Sequence, residues 1–270
     1  MVSREFFNEC VSLMRENGID SAVFDTRCIF EDFSDSSRDD ILKMVKKRAD
    51  GYPLQYILGQ WELYGYTFII NENVLIPRPD TEVLIENVIE ICRKNGFKSP
   101  KIADLCSGSG CIAVVLKKEI PSSEVCAVEI SEKAVEIIKR NSQLNNADIK
   151  ISTADVLSKN TAERFENLDI IVSNPPYLTR EDMETLQKEV TFEPKLALFG
   201  GEDGLDFYMK MIPLWRDSLK NGGYIAFEFG QGQHDRIGKI LSRNNFGNIK
   251  FSRDTQNIIR TVTAQKQEDL

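Results

Sequence analysis

With 270 residues, of which 41% are hydrophobic, the chain is long enough for one large domain and a small one. It holds no run near the ~18 apolar residues that span a membrane and no apolar segment behind its acidic amino terminus, so we expect a cytoplasmic protein without membrane contact. A net charge of −8 argues against direct nucleic-acid binding by the surface as a whole.

The first 60 residues carry apolar side chains at helical spacing, for example Phe6, Cys10 and Leu13. Turn residues separate these runs, so the sequence predicts a small helical domain over residues 1–60. A cluster of basic residues between Arg38 and Arg48 suits either the solvated face of a helix or a local binding patch.

A second pattern begins at Trp61, where aromatic and β-branched residues alternate with turn residues up to Ile70. This pattern predicts a β-hairpin inside a linker over residues 61–80. An amphipathic helix over residues 83–92 then follows, and Asp80 or Thr81 is placed to cap it.

Beyond Lys101, short apolar strands alternate with helical stretches, which is typical of a doubly wound, Rossmann-like α/β domain. We predict that this domain occupies residues 81–270 and contains a mainly parallel, seven-stranded sheet with a hairpin at one edge. The predicted strands are residues 101–105, 124–130, 150–153, 168–173, 223–229, 249–252 and 258–264.

The single histidine, His234, and six scattered cysteines limit the chemistry that the chain can perform. No Cys-x-x-Cys pair occurs, so we expect reduced thiols and no metal site. One histidine also leaves most schemes of triad or metal hydrolysis without their usual base. The sequence therefore predicts a reaction that does not use a histidine as its base.

A glycine-rich loop, Asp104-Leu105-Cys106-Ser107-Gly108-Ser109-Gly110, follows the first strand of the sheet. Its glycines permit a tight turn and close approach of a ligand to the free N–H groups of the next helix. Glu129 ends the second strand, where a carboxylate accepts hydrogen bonds from ribose hydroxyls, and Asp155 after the third strand is placed beside an adenine. The loop alone also fits a dinucleotide site or a turn without a ligand.

The tetrapeptide Asn174-Pro175-Pro176-Tyr177 follows the fourth strand. The oxygen of Asn174 and a proline-flanked carbonyl can together accept both hydrogens of one planar NH2 group, while the ring of Tyr177 offers that group a flat face. Its alternative interpretation is a turn after a buried strand. A nearby electrophile would favour the functional interpretation.

Two observations favour a cofactor that carries a ribose, an ammonium group and an electrophile. Asp104 precedes the loop and would repel a pyrophosphate but attract an ammonium group. In the usual doubly wound order the fourth strand lies beside the first, so the tetrapeptide faces the same crevice. S-adenosylmethionine has these groups, and it leaves the protein only to bind, orient and exclude water.

The chain resembles the bacterial release-factor glutamine N5-methyltransferases, which are class I methyltransferases, through segments in a fixed order. They are residues 53–59, 74–82, 104–110, 174–177 and 193–204. The resemblance implies that Asn174 and Pro175 bind the glutamine amide of the Gly-Gly-Gln loop in peptide chain release factors, with Pro176 and Tyr177 beside it. We expect Asn174, Pro175 and Tyr177 to be catalytic. Expected cofactor contacts are Asp104, Cys106, Ser107, Gly108, Ser109, Gly110, Glu129, Asp155, Val156 and Asn174.

Some positions depart from the family pattern or stay open. Val156 stands where the family often has an aromatic residue beside the adenine. Arg78 suits either the site or a structural ion pair, and the segment over residues 193–204 suits either turns or a wall facing the substrate loop. Two other functions also fit the motifs. One is methylation of an exocyclic amino group of a base in RNA or DNA, and the other is a non-catalytic assembly factor.

Overall fold

The computed structural model describes residues 3–268 and begins with four helices. They are α1 (Arg4–Glu16), α2 (Ala22–Asp32), α3 (Arg38–Ala49) and α4 (Leu54–Leu58). Serine hydroxyls cap two of them, since Ser3 accepts from Phe6 N–H and Ser37 from Asp40 N–H, each at 3.2 Å. The predicted ends at residues 1 and 270, and part of the amino terminus used against a signal peptide, lie outside the described residues.

The predicted hairpin follows as β1 (Gln60–Leu63) and β2 (Tyr66–Ile69), which pair antiparallel. Asn141 from a later helix fastens it, because its side chain accepts from Ile69 N–H at 2.7 Å and donates to Ile69 O at 3.0 Å. These two hydrogen bonds hold the hairpin against the larger α/β part of the chain. The division of the chain at residues 60 and 80 stays a proposal.

The remaining elements alternate as the sequence predicted. They are α5 (Thr81–Lys94), β3 (Lys101–Leu105), α6 (Cys111–Glu119), β4 (Glu124–Glu129), α7 (Glu132–Leu144), β5 (Lys150–Thr153), α8 (Lys159–Ala162), β6 (Leu168–Ser173), α9 (Arg180–Glu184), α10 (Asp206–Trp215), β7 (Leu219–Glu228), α11 (His234–Arg243), β8 (Phe246–Arg253) and β9 (Ile259–Lys266). Asp80 stands at the N-cap of α5, but no capping bond from its side chain is present. None of the helices in residues 3–268 has the length and apolar character needed to cross a membrane.

The seven strands β3 to β9 form one sheet in the order β5-β4-β3-β6-β7-β9-β8. β3 pairs in parallel with both β4 and β6, and antiparallel pairing enters only with β9 and the edge strand β8. The predicted doubly wound fold with an edge hairpin is therefore confirmed. The strands β4 and β5 lie on one side of β3, whereas β6 and β7 lie on its other side, so the strand order reverses between β3 and β6. In open α/β sheets, ligands bind in the crevice outside the carboxyl ends of the strands at such a point.

Buried side chains alternate between the two faces of the sheet. On β3, Ile102 packs with helices α5, α6 and α7, whereas Ala103 and Leu105 pack with α8, α10 and α11. β7 begins at Leu219, four positions before the predicted start, because Leu219 pairs with Leu168 across an irregularity in β6. Lys220, the second residue of β7, forms an ion pair with Asp169, with 2.6 Å between Nζ and Oδ1. Because this part of the strand is polar, an apolar pattern could not predict it.

Candidate functional site

A cavity of about 270 Å³ opens at the carboxyl ends of β3, β4, β5 and β6. It brings together most of the predicted site residues, namely Cys106, Ser107, Gly108, Ser109, Glu129, Asp155, Val156, Asn174 and Pro176. Four others, Asp104, Gly110, Pro175 and Tyr177, lie close to these residues in the chain but are not part of the lining. Residues from three separate motifs of the sequence therefore share one cavity.

Asp104 is fully buried beneath the glycine-rich loop. One carboxylate oxygen accepts from the Ser107 hydroxyl and, at 3.2 Å, from the Ala113 N–H of helix α6. The other oxygen, Oδ1, has no hydrogen-bond partner among residues 3–268. Burial, with a smaller contribution from Glu129, raises the pKa of Asp104 to about 7. A cation would satisfy the free oxygen and favour the ionised form.

The loop itself requires the backbone shape that glycine allows. Gly110 caps α6 with a φ of 79°, and a Cβ there would come within 2.9 Å of Ile138 Cγ2. Cys106 also has a positive φ, 57°, although it is not glycine. The loop is thus folded tightly between β3 and α6.

The carboxylate of Glu129 closes the loop against β4. Its Oε2 accepts from Gly108 N–H at 2.8 Å and its Oε1 from Ser131 N–H at 2.9 Å. Each oxygen keeps further acceptor capacity for a ligand hydroxyl. Glu129 is only 7% exposed and lines the cavity, so this capacity lies where the ribose was predicted.

Beyond β5, Asp155 and Val156 contribute a second wall. Asp155 is exposed, and its Oδ1 accepts from Leu157 N–H at 2.8 Å. Val156 is buried, and Trp215 fixes its carbonyl by a hydrogen bond of 2.8 Å from the indole nitrogen. Phe207 lines the same cavity and supplies an aromatic ring there, which Val156 does not.

The tetrapeptide forms the side of the cavity nearest β6. Asn174 is half-buried, and its Nδ2 lies 3.4 Å from the hydroxyl oxygen of Thr81. Pro175 and Pro176 are buried, and the Tyr177 carbonyl accepts from Gln233 Nε2 at 2.9 Å. Burial also raises the pKa of the Tyr177 hydroxyl, so Tyr177 is neutral in the physiological range.

The glycine-rich segment after the tetrapeptide packs directly on it. Leu178 N–H donates to Leu198 O, and Gly200 N–H donates to Leu178 O, each at 2.9 Å. A Cβ on Gly200 would lie 2.6 Å from Pro176 O, so the close approach requires glycine. The segment therefore supports the tetrapeptide, and its earlier part, through Leu196, also walls the cavity.

Arg78 forms the ion pair that was one of its two predicted roles. Its partner Glu193 is 4% exposed and also accepts from Ile76 N–H at 3.0 Å. Arg78 lines the cavity as well, so this pair ties the segment before α5 to the wall that follows Glu193.

Some residues at the site had no signal that the sequence could offer. Phe207 lines the cavity although it stands outside every motif, and Gln233 bonds to the tetrapeptide from 56 positions away. Only the fold brings them to the site.

Comparison with known proteins places this geometry in a family. The Methyltransferase small domain family matches residues 79–194. A release factor glutamine methyltransferase of Fusobacterium nucleatum subsp. nucleatum is 36% identical over 283 residues, covering 97% of this chain and 78% of the relative. A second release factor glutamine methyltransferase, of Clostridium acetobutylicum, is 40% identical over 228 residues, covering 83% of this chain and 78% of the relative. The chain belongs to the release factor glutamine methyltransferase family.

Solved structures agree on the fold of this methyltransferase. The crystal structure of ribosomal protein L11 methylase from Lactobacillus delbrueckii subsp. bulgaricus has a TM-score of 0.51 at 20% identity, covering 73% of this chain and 84% of that chain. At this identity the likeness concerns the fold alone.

Methyltransferases of this family use S-adenosylmethionine. The residues present fit that cofactor in two respects. Asp104 holds a buried carboxylate oxygen without a partner among the described residues, which suits an ammonium group. Glu129 presents an oriented carboxylate to the cavity, which suits two ribose hydroxyls.

Proposed function

We propose that this protein transfers a methyl group from S-adenosylmethionine to the side-chain amide nitrogen of the glutamine in the Gly-Gly-Gln loop of peptide chain release factors. The observation that carries the proposal is the placement of Asn174 in one cavity with Glu129. The amide NH2 of Asn174 is directed at Thr81, which leaves its oxygen as an acceptor for a substrate NH2 group.

The residues act by binding and orientation. An amide nitrogen is a poor nucleophile because its lone pair is delocalised. Asn174 and the carbonyl of Pro175 would accept its two hydrogens, hold the nitrogen in line and favour the pyramidal geometry of the transition state. When bound, S-adenosylmethionine supplies a methyl group that its sulfonium already activates.

The cofactor would lie along the glycine-rich loop. Cys106, Ser107, Gly108, Ser109 and Glu129 line the cavity there, and Glu129 would accept hydrogen bonds from the ribose hydroxyls. Asp155, Val156 and Phe207 would enclose the adenine. Asp104 and Gly110 are not part of the lining, and Asp104 would act through its charge and Gly110 through the turn.

The partner and the location belong to the same proposal. The curated relatives are named for release factors, and the acidic charge of this chain favours a protein substrate over a nucleic acid. Helices α1 to α4 would help bind the release factor. Six free cysteines suit the reducing cytoplasm.

The experiment offers purified release factor, RNA and DNA in parallel to the protein with isotopically labelled cofactor. Mass spectrometry of the release factor should show one added methyl on the glutamine of its Gly-Gly-Gln peptide. A release factor with glutamate there should take no label, because a carboxylate has no N–H to donate. Label on nucleic acid alone would replace the proposal by base methylation.

An Asn174→Ala variant separates catalysis from binding. Transfer should fall by about 10²–10³-fold, while calorimetric affinity for the cofactor stays within about threefold of the wild type. If the variant kept full activity in cells, the protein would act as a non-catalytic assembly factor instead.

A further inference from the structure

Glu228 is a buried carboxylate at the end of β7, and it has no role in the methyl transfer proposed above. It is 1% exposed. Its Oε2 accepts a hydrogen bond of 2.8 Å from the Thr81 hydroxyl, and the oxygen of that hydroxyl lies 3.4 Å from Nδ2 of Asn174. Three side chains from β7, the start of α5 and the end of β6 thus form a chain of hydrogen bonds that ends at the substrate cavity.

The chemistry of these groups gives the chain one direction. An ionised carboxylate can only accept, so Thr81 must give its single hydroxyl hydrogen to Glu228. The Thr81 oxygen can then only accept from Asn174, which fixes the NH2 group of Asn174 towards Thr81. The Asn174 oxygen is left facing the substrate.

We propose that Glu228 is a positioning residue that, through Thr81, orients the Asn174 amide and thereby selects a substrate NH2 group over a carboxylate. This inference rests on the proposed function. Without the carboxylate, the Asn174 amide can turn over and present its own NH2 group to the cavity. That orientation repels a glutamine nitrogen but attracts a glutamate carboxylate.

The charges around Glu228 allow it to act as an acceptor. Burial raises its pKa to about 7, while the Thr81 hydroxyl, the charge of Arg260 and the nearby Asn174 amide oppose the rise and Asp80 adds to it. Assays at about pH 8 therefore compare enzymes in which this carboxylate is ionised.

The test uses the full chain with Glu228→Gln and Thr81→Val, which keep the shape of each side chain but change its hydrogen bonding. We expect kcat for methylation of the release factor to fall by about 10–100-fold in both variants, with cofactor affinity within about threefold of wild type. Thr81→Ser should recover most of the activity that Thr81→Val loses, because it restores the hydroxyl. Glu62→Gln, exposed on the hairpin, is the matched control without effect.

The decisive readout is binding rather than rate. The ratio of dissociation constants for release factors with glutamate and with glutamine in the loop should fall at least about fivefold in Glu228→Gln, since the released amide can face either group. A purely structural role would weaken both ligands equally.

An unchanged ratio of dissociation constants would overturn the inference whether or not kcat falls. If Glu228→Gln failed to fold, judged by thermal unfolding, Thr81→Val would carry the same test. A wild-type enzyme that cannot methylate the release factor at all would instead be a failure of the proposed function, and the two failures are therefore distinct.

Discussion

Arg48 donates a hydrogen bond of 2.6 Å from Nη2 to the Glu189 carboxylate and so joins helix α3 to the segment that leads into the cavity wall. The same guanidinium donates from Nε to Asp25 at 2.7 Å. Nearby, the rings of Tyr52 and Phe192 meet edge to face with centroids 5.2 Å apart. The amino-terminal helices therefore hold the segment that contains Glu193 and Leu196, and Arg48 is no part of a solvated basic face.

Removing Arg48 should destabilise the fold far more than removing Glu189. Asp25 is 3% exposed, so Arg48→Met leaves it charged and unpaired, and the free energy of unfolding should fall by about 3–5 kcal/mol. Glu189 is 43% exposed, so Glu189→Gln should cost less than about 1 kcal/mol. Urea unfolding measures both.

Glu189→Gln should nevertheless raise KM for the release factor, because the wall is less firmly held, while cofactor affinity stays constant. Lys150→Met, which breaks the exposed pair with Glu124, serves as the control and should change neither quantity. Equal destabilisation by Arg48→Met and Lys150→Met would contradict this account of the contact.

Glu129→Gln should weaken cofactor binding by about 10–100-fold. A carboxamide has only one acceptor oxygen, so either Gly108 N–H or Ser131 N–H would face a second donor, at a cost of about 1–3 kcal/mol. Isothermal titration calorimetry with S-adenosylmethionine measures the loss. Asp155→Asn, at an exposed side chain with a single backbone bond, should have a much smaller effect. Equal losses would remove Glu129 from its proposed place at the ribose.

The sheet could be predicted from the sequence because its central strands each contain a buried apolar run of their own. The run from Leu168 to Ser173 is buried throughout, and its predicted bounds match β6. β7 was predicted too short, since Lys220 and Asn221 interrupt the apolar pattern and only pairing with β6 reveals the strand. Apolar patterns in the sequence thus predict that a strand exists, whereas its pairing with neighbouring strands determines where it begins and ends.

The candidate site divides in the same way. Glu129 and Asn174 follow strands in recognisable motifs, so the sequence was enough to propose them together. Thr81, Phe207 and Glu228 belong to the cavity or its support only because distant elements meet there. The contact of Asp104 with an ammonium group stays a prediction, since one carboxylate oxygen is bound by Ser107 and the start of α6 and the other has no partner among residues 3–268. The roles of these residues stay predictions.

Gly200→Ala should disrupt the tetrapeptide without touching the cofactor residues. The added Cβ would lie 2.6 Å from Pro176 O and 2.7 Å from Tyr177 Cα, both backbone atoms that cannot turn aside. We expect a loss of about 1–3 kcal/mol in the free energy of unfolding and a larger loss of kcat than of cofactor affinity. Gly238→Ala is the control, since its Cβ would meet only the Phe251 ring at 3.3 Å. Normal kcat in Gly200→Ala would show that the tetrapeptide does not depend on this contact.

The stability of the cofactor-free protein should decrease as the pH rises from about 5 to about 8. Burial raises the pKa of Asp104 from 3.8 to about 7, so the folded protein holds a proton that the unfolded chain has already lost. The stability that protonated Asp104 contributes is fully present below its pKa in the unfolded chain and is lost as the pH rises through about 7. Between about pH 5 and about pH 8 the loss amounts to about 3 kcal/mol, and Glu228 acts in the same direction.

Urea unfolding of the wild type and of Asp104→Asn at several pH values between about 5 and 8 measures this effect. The asparagine variant should show a clearly smaller decrease, because its side chain does not titrate. If an ammonium group binds beside Asp104, the stabilisation that S-adenosylmethionine gives should grow with pH in the wild type but not in the variant. An equal decrease of stability with pH in both proteins would mean that Asp104 does not titrate in this range and would contradict the prediction.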